Sequence, residues 1–453
     1  MSGNIMGTQK VSKLVLTTGI PLMLSLLINS LYNFVDSVFV SRVAEDALTA
    51  LSLAAPVQFM VSALGLGNAV GLNAAISRAL GEGRRDKVKK TASAAIFLAV
   101  CAWALISVAC LVGIRWYFEW QSGGNAVIAQ YGRDYLSICM LFSLGQMGQW
   151  VFDRFVIASG KSHLFLFTLS AASITNLILD PVFIFAVGMG TRGAAIATVI
   201  GQFVGLFAGI TINRRWNKEI EFSFTLRPDW QSVKTILRVG IPSTLVQVLT
   251  SFVTVAMNSI LLAFSSTAVA VYGVCSRMMG VCTVGVHGID NGLIPIVAYN
   301  YGARKPDRVR ESLRWAMGYS ALFFLPFLLV LELAPNWVLR LFNASEHMMD
   351  IGIPAVRVLA LAWAVSIPNL VIAAALQGLS QPRQSMVLTL LRQAILPVLL
   401  ALVFKGFGNL NLIWLAFVLA EAIGIPAAMM LWRSGSGATL AGLPETAQAA
   451  IID

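Results

Sequence analysis

Apolar stretches long enough to cross a lipid bilayer follow one another along almost the whole of this 453-residue chain, broken only by short polar connections. A spanning helix needs roughly 20 mostly apolar residues, because the hydrocarbon core offers no water to backbone amides and carbonyls. Such segments fall near 14–40, 47–75, 92–116, 132–158, 164–188 and 193–212. A second set follows near 235–263, 268–296, 313–340, 352–378, 384–408 and 410–432. With 57% hydrophobic and 12% charged residues and a mean hydropathy of +0.78, a soluble fold has no interior large enough to hide this surface. The expected fold is therefore an all-α integral membrane protein with 12 transmembrane helices. The stretch 14–40 is too long for a signal peptide, holds Asn29, Asn33 and Asp36, and lacks an A-x-A-like cleavage site, so it is expected to remain as the first helix.

The net charge of +11 raises the question of a nucleic-acid partner, and the placement of the charges answers it. Loops on the side of the N-terminus hold 22 of the 32 Lys and Arg residues, the opposite loops hold 7, and Arg154, Arg277 and Arg392 fall within spans. Basic loops stay in the cytoplasm, so both termini are expected there, and no nucleic-acid partner is needed. The five cysteines sit in apolar stretches without disulfide or metal-ligand spacing. Of the histidines, only His287 lies in a span, with no second ligand at metal spacing. Nothing in the chain has the pattern of an enzyme, and no cofactor is expected.

The polar connection 213–234 lies midway, and the segments around it repeat. Gly19-Ile20-Pro21 recurs as Gly240-Ile241-Pro242, an offset of 221, and the same offset pairs GEGRRDKV (81–88) with GARKPDRV (302–309). The expected domains are an N-terminal lobe 1–212, a cytoplasmic linker 213–234, a C-terminal lobe 235–432 and a cytoplasmic tail 433–453. An even number of spans per copy makes the halves parallel, as two pseudo-symmetric six-helix bundles, which is a common transporter design.

Charged groups inside a bilayer are costly and commonly functional. Asp36 lies in the first span and Asp180 in the fifth, with Asn176 one turn before Asp180 and Pro181 just after it. Two carboxylates and an amide form an oxygen cage that suits a small cation or a proton; the same groups could instead cap a broken helix or pair with an arginine. The repeat places Met257 opposite Asp36, and matching Pro181 with Pro397 places Leu396 opposite Asp180, so the carboxylates belong to the first half alone. Glu332, Glu421, Asp290, Arg277 and Arg392 are expected to form satisfied pairs in the second half, and Asp153-Arg154 to snorkel to the membrane surface. Gln58, Phe59, Met60, Met257, Met278 and Met279 are expected to line an adaptable substrate cavity.

Two six-helix halves each opened by GIP, the paired GEGRRDKV and GARKPDRV loops and the NLILDP segment together resemble the multidrug and toxic compound extrusion (MATE) family, its DinF-type and MepA-like bacterial branch in particular. The resemblance runs from about Leu14 to Trp432. It implies a V-shaped pair of bundles in a bacterial cytoplasmic (inner) membrane, working as a monomer and exporting amphipathic organic cations by antiport with H⁺ or Na⁺. Carried over by position, the coupling site would be Asp36, Asn176, Asp180 and Thr198, and any Na⁺ would bind there. The acidic residues of a cation site in the second lobe have no counterparts, since Gln247 and Ser366 stand near those positions. The alternative within transport is a lipid-linked saccharide flippase of the same superfamily, whose members often carry two further helices and a more cationic cavity.

Overall fold

A computed structural model describes residues 5–41, 45–122, 125–225, 227–340 and 346–434. The chain runs through α1 (Ile5–Thr8), α2 (Val11–Ser41), α3 (Glu45–Gly81), α4 (Arg85–Gln121), α5 (Ala126–Leu141), α6 (Leu144–Ala158), α7 (Ser162–Pro181) and α8 (Gly190–Trp216). It continues through α9 (Trp230–Leu262), α10 (Ser266–Cys282), α11 (Val284–Gly302), α12 (Pro306–Leu333), α13 (Pro335–Arg340), α14 (Glu346–Gly378), α15 (Pro382–Leu390), α16 (Leu396–Lys405) and α17 (Leu410–Trp432). Among the described residues, 10 helices are long and apolar enough to cross a membrane, or 11 if the bent pair α10–α11 is one span. The remaining expected span, 132–158, is carried by α5 and α6, which are interrupted at Phe142–Ser143 and individually too short. The break between α10 and α11 is a 52° bend at Thr283, whose Oγ1 donates to Met279 O at 2.7 Å and so competes with the helix ladder.

Two compact units result, one formed by residues 24–244 and the other by 1–23 with 245–453. The division falls inside α2 and α9, so the leading segment of each repeat packs with the other repeat's helices. Glycine makes this possible. In the first unit, Gly67 and Gly71 of α3 face α9, and a Cβ at Gly67 would lie 2.7 Å from Gly240 O. In the second, a Cβ at Gly288 of α11 would lie 2.7 Å from Met23 Cα, and one at Gly292 would lie 3.3 Å from Gly19 N. The offset that relates Gly19 to Gly240 also relates Gly67 to Gly288 and Gly71 to Gly292, so one small-xxx-small crossing is built twice.

The connection 213–234 belongs to the first unit, where Asn217, Ile220 and Ser232 are buried. Its Glu221 meets Lys89 at 3.2 Å, and Ser232 Oγ donates to Asp229 at 2.6 Å.

The paired loops keep one backbone course, with Gly83 (φ 71°) matched by Arg304 (φ 55°), but they recruit different partners. Glu82 gathers Arg78 at 2.9 Å and Lys87 at 3.1 Å. Ala303 stands where Glu82 would be, and the second loop turns its cations to the N-terminal segment. There Arg308 donates to Met6 O and Gln9 O, and Lys305 donates to Gly7 O.

The first unit packs α7 on α8, α6 on α8 and α3 on α4, around a core that includes Leu72, Ile76, Phe118, Leu136 and Phe155. The second centres on α14 packed against α17, α11 and α12.

Candidate cation-coupling site

α7 ends where proline removes a backbone donor, and the chain widens at once into a π-helical turn, Val182–Ala186, in which Val187 N reaches back to Val182 O. Just before this irregular turn, Asn176 and Asp180 lie on one face by their i, i+4 spacing. α8 returns antiparallel and brings Thr198 to the same place. Asn176 Nδ2 donates to Asp180 Oδ1 at 3.2 Å and to Thr198 Oγ1 at 3.3 Å, so one amide joins the carboxylate to the hydroxyl. Asp180 is 0% exposed, Asn176 2% and Thr198 8%. Among the described residues, Asn176 Oδ1 is buried without a hydrogen-bond partner. A buried acceptor left in that state is costly unless a proton donor or cation meets it. Close packing of α7 on α8 is permitted by Gly201, where a Cβ would lie 2.7 Å from Ala172 O.

The backbone of Asp36 lies in α2, but its side chain is outside the described residues. Of the four coupling residues named from the sequence, the structure thus brings together Asn176, Asp180 and Thr198. The candidate cavity residues are scattered. Gln58 is half-buried and donates to Tyr135 Oη at 3.2 Å, while Phe59 and Met60 are exposed. Met257, Met278 and Met279 are buried.

Met279 lines a cavity of about 450 Å³ within the second unit, together with Tyr272, His287, Trp363, Arg392 and Glu421. Arg392, 2% exposed, donates from Nη1 to Glu421 Oε1 at 2.7 Å, and Asn369 Nδ2 donates to Glu421 Oε2 at 2.8 Å. The expected internal pair is therefore formed by Arg392 and Glu421. Asp290 and Glu332 do not hydrogen-bond to it: among the described residues, Asp290 Oδ1 and Glu332 Oε1 are buried without a hydrogen bond, and Arg277's side chain is outside the described residues.

The two halves can be matched more closely than prolines allow. Ser380 corresponds to Gly160 and Gly408 to Gly188 at an offset of 220, each with positive φ at the same turn. Matching Pro181 with Pro397 is therefore incorrect: the turns on both sides of the span fix a shift of 220, and the π-helical turns at 182–186 and 391–395 raise it to 221 between them. Ala401, beside Leu400, stands opposite Asp180, and Pro397, beside Leu396, opposite Asn176. All four are apolar.

The MatE family model matches residues 21–182 and again 242–403, two stretches that begin at Pro21 and Pro242, equivalent positions of the internal repeat. The chain belongs to the MATE family. A similar protein is the multidrug export protein MepA of Staphylococcus aureus, 23% identical over 425 residues, covering 93% of each chain. Among solved structures, the chain is similar to an outward-facing multidrug resistance MATE transporter of the MOP superfamily. The TM-score is 0.89 at 23% identity, over 97% of this chain and 99% of that one. A MOP superfamily transporter from Pyrococcus furiosus Vc1 matches at a TM-score of 0.87 and 24% identity, over 97% and 98% of the two chains. These likenesses establish the MATE fold.

In this MATE protein the sequence reading missed a row of polar groups beyond Thr198. Gln149 and Asp153 lie on one face of α6, and Gln202 lies on α8. A Cβ at Gly205 of α8 would lie 2.5 Å from Gln149 Cδ, so that amide rests against α8's backbone. Asp153 does not snorkel: it is 2% exposed and accepts from Thr168 Oγ1 at 2.5 Å. The i, i+4 spacing of Gln149 and Asp153 was the available signal.

Proposed function

We propose that this protein is a secondary active multidrug efflux transporter that exports amphipathic organic cations in exchange for H⁺ or Na⁺, and that the exchange is coupled at Asp36, Asn176, Asp180 and Thr198. The observation that carries this reading is the buried Asn176–Asp180–Thr198 cluster with an unpartnered amide oxygen beside a carboxylate. Three oxygen-bearing side chains of described position suit a hard cation, and a protonated Asp180 would equally supply the donor that the cluster lacks. Family membership and the likeness to MepA support drug export. The relevant movement is alternating access between lobes 1–212 and 235–432, joined by 213–234, in a bacterial cytoplasmic membrane with both termini inside.

The physical requirement is differential binding. A cation shifts the equilibrium between two states only by the difference in its affinity for them. Binding at the cluster would neutralise Asp180 and complete the coordination of Asn176 Oδ1. This changes the packing of α7 and α8 around the π-helical turn, where the backbone ladder is already irregular. In inside-out vesicles with an imposed H⁺ or Na⁺ gradient, Asp36→Asn and Asp180→Asn should each abolish dye efflux while leaving expression and folding intact. Retained efflux in both variants would remove the coupling assignment.

A further inference from the structure

α8 presents Thr198, Gly201, Gly205, Gly209 and Asn213 at intervals of three or four residues, so they share one face. Polar side chains from α6 and α7 lie along it. Asn176 rests against Gly201, where a Cβ would be 3.2 Å from its own Cβ; Gln149 rests against Gly205; and Thr168 comes within 3.9 Å of a Cβ at Gly209. Thr168 lies a little over three turns before Asp180 on the same helix, about 18 Å along its axis. At this far end of the face sits the second buried carboxylate, Asp153.

Its hydrogen bonding defines two states. Thr168 Oγ1 lies 2.5 Å from Asp153 Oδ1 and 2.8 Å from Phe165 O, yet a hydroxyl has one proton to give. With Asp153 ionised, the hydroxyl donates to the carboxylate and forfeits Phe165 O. With Asp153 protonated, the acid donates to Thr168, which donates onward to Phe165 O, and both short contacts are hydrogen bonds. Gln149, one turn back on α6, also interacts with the carboxylate through its side chain, and among the described residues Oδ2 makes no hydrogen bond of standard geometry. The charged neighbour is Arg154, the next residue on α6, whose guanidinium attracts the carboxylate. α7 presents Thr168 and α8 presents Gly209 and the amide of Asn213, which donates to Phe152 O at 2.9 Å.

The repeat shows that the fold does not require these groups. Displaced by 220, Phe152, Asp153 and Thr168 become Ile372, Ala373 and Leu388, and these three pack with Ala428 in an apolar cluster. The same helix junction is thus closed by hydrocarbon in one half and by a carboxylate and a hydroxyl in the other.

We propose that Asp153 is a second proton-binding carboxylate of the transport cycle, which takes up one proton at Oδ1 against Thr168 and releases it again in each turnover. The proposal rests on the reading of Asp180 as the coupling residue, and it makes the proton the coupled ion at this station.

The test uses the full-length protein in proteoliposomes with ethidium as substrate and an imposed pH gradient. Asp153→Asn should lower efflux about tenfold, within the range of coupling between linked sites, and flatten its pH profile. Asp153→Glu should restore both. Infrared difference spectra across the pH range should lose a carboxylic C=O band in Asp153→Asn. Thr168→Val, which keeps the carboxyl but removes its partner, should shift that band and the pH profile; this variant decides the matter should Asp153→Asn fail to fold. An unchanged profile and spectrum in Asp153→Asn, or in Thr168→Val, would overturn the proposal. Efflux lost in Asp180→Asn but normal in Asp153→Asn would overturn it alone, whereas normal efflux in Asp180→Asn would overturn the coupling reading beneath it.

Discussion

The two halves of this MATE protein share a backbone course, yet the coupling cluster of one and the Arg392–Glu421 pair of the other obey opposite rules. In the first half, Asn176, Asp180, Thr198, Gln149 and Asp153 form a row in which acceptors are left over, among them Asn176 Oδ1. In the second half, the register between the π-helical turns puts Pro397 and Ala401 at the places of Asn176 and Asp180, and the shift of 220 puts Ala373 at that of Asp153. Of these matched places only that of Gln149 stays polar, as Asn369, which meets the Arg392–Glu421 pair, while Asp290 Oδ1 and Glu332 Oε1 stand apart from it without a hydrogen bond among the described residues. Within the pair the carboxylate is neutralised by a guanidinium and both its oxygens are bonded. A closed pair needs no ion from outside, whereas an open set of acceptors does. The comparison separates polar groups that hold the fold from polar groups that await a ligand.

The largest effect on stability should come from opening the closed pair. Glu421→Gln or Arg392→Met alone should destabilise the purified protein by about 3–5 kcal/mol, because each leaves a buried charge without its partner. The double change Arg392→Met with Glu421→Leu should recover most of that loss in thermal unfolding, since hydrocarbon of similar volume replaces a desolvated pair. Equal destabilisation by the single and double changes would place the pair among the open, ligand-dependent groups instead.

Next come the crossings that both halves build with glycine. Gly288→Val should cost about 1–3 kcal/mol through overpacking against Met23, and Gly67→Val a similar amount against Gly240, as read by thermal unfolding. A large loss at one site and none at its repeat counterpart would break the equivalence of the two crossings.

These crossings also show what the sequence could and could not convey. The twelve apolar spans and the offset of 221 were legible because bilayer thickness and chain repetition leave marks on one-dimensional composition. Asn176, Asp180 and Pro181 stand out for the same reason, as polar and ring residues in an apolar run. Thr198 came only through family resemblance, since a threonine among small residues carries no signal until the packing of α7 on α8 brings it to Asn176. Asp153 was misjudged because nearness to the end of a predicted span suggests snorkelling, while its burial depends on Thr168 from a different helix. The exchange of leading segments between units could not be read from the repeat, because identical glycines in both copies are equally compatible with packing inside a repeat or across repeats.

A smaller effect is expected at Thr198. Thr198→Val removes the hydroxyl that accepts from Asn176 Nδ2 and should lower stability by about 1 kcal/mol. It should weaken the apparent affinity for the coupling ion more than it alters maximal efflux. An unchanged ion dependence would exclude Thr198 from the cluster's function.

The smallest effect belongs to the paired loops. Burial raises the pKa of Glu82, but hydrogen bonds from Lys87 and Arg78 outweigh it and hold the carboxyl below its ordinary value. A lowered folded-state pKa stabilises the fold above the ordinary carboxylate range, and that contribution is lost as pH falls through the folded-state value. Glu82→Gln should therefore cost a few tenths of a kcal/mol near neutrality, after screening by water, and nothing in strong acid. The second loop, with Ala303 at the matching place, should show no such acid sensitivity.

The central claim is that coupling resides in the first half and that the buried Arg392–Glu421 pair of the second is structural. Gradient-driven efflux, read as dye accumulation in the lumen of inside-out vesicles, tests it directly when Asp180→Asn is compared with the Arg392→Met, Glu421→Leu double variant at equal expression. The account predicts that Asp180→Asn abolishes efflux under either an H⁺ or a Na⁺ gradient, while the double variant transports at nearly the wild-type rate. Efflux that survives Asp180→Asn but disappears in the double variant would contradict it.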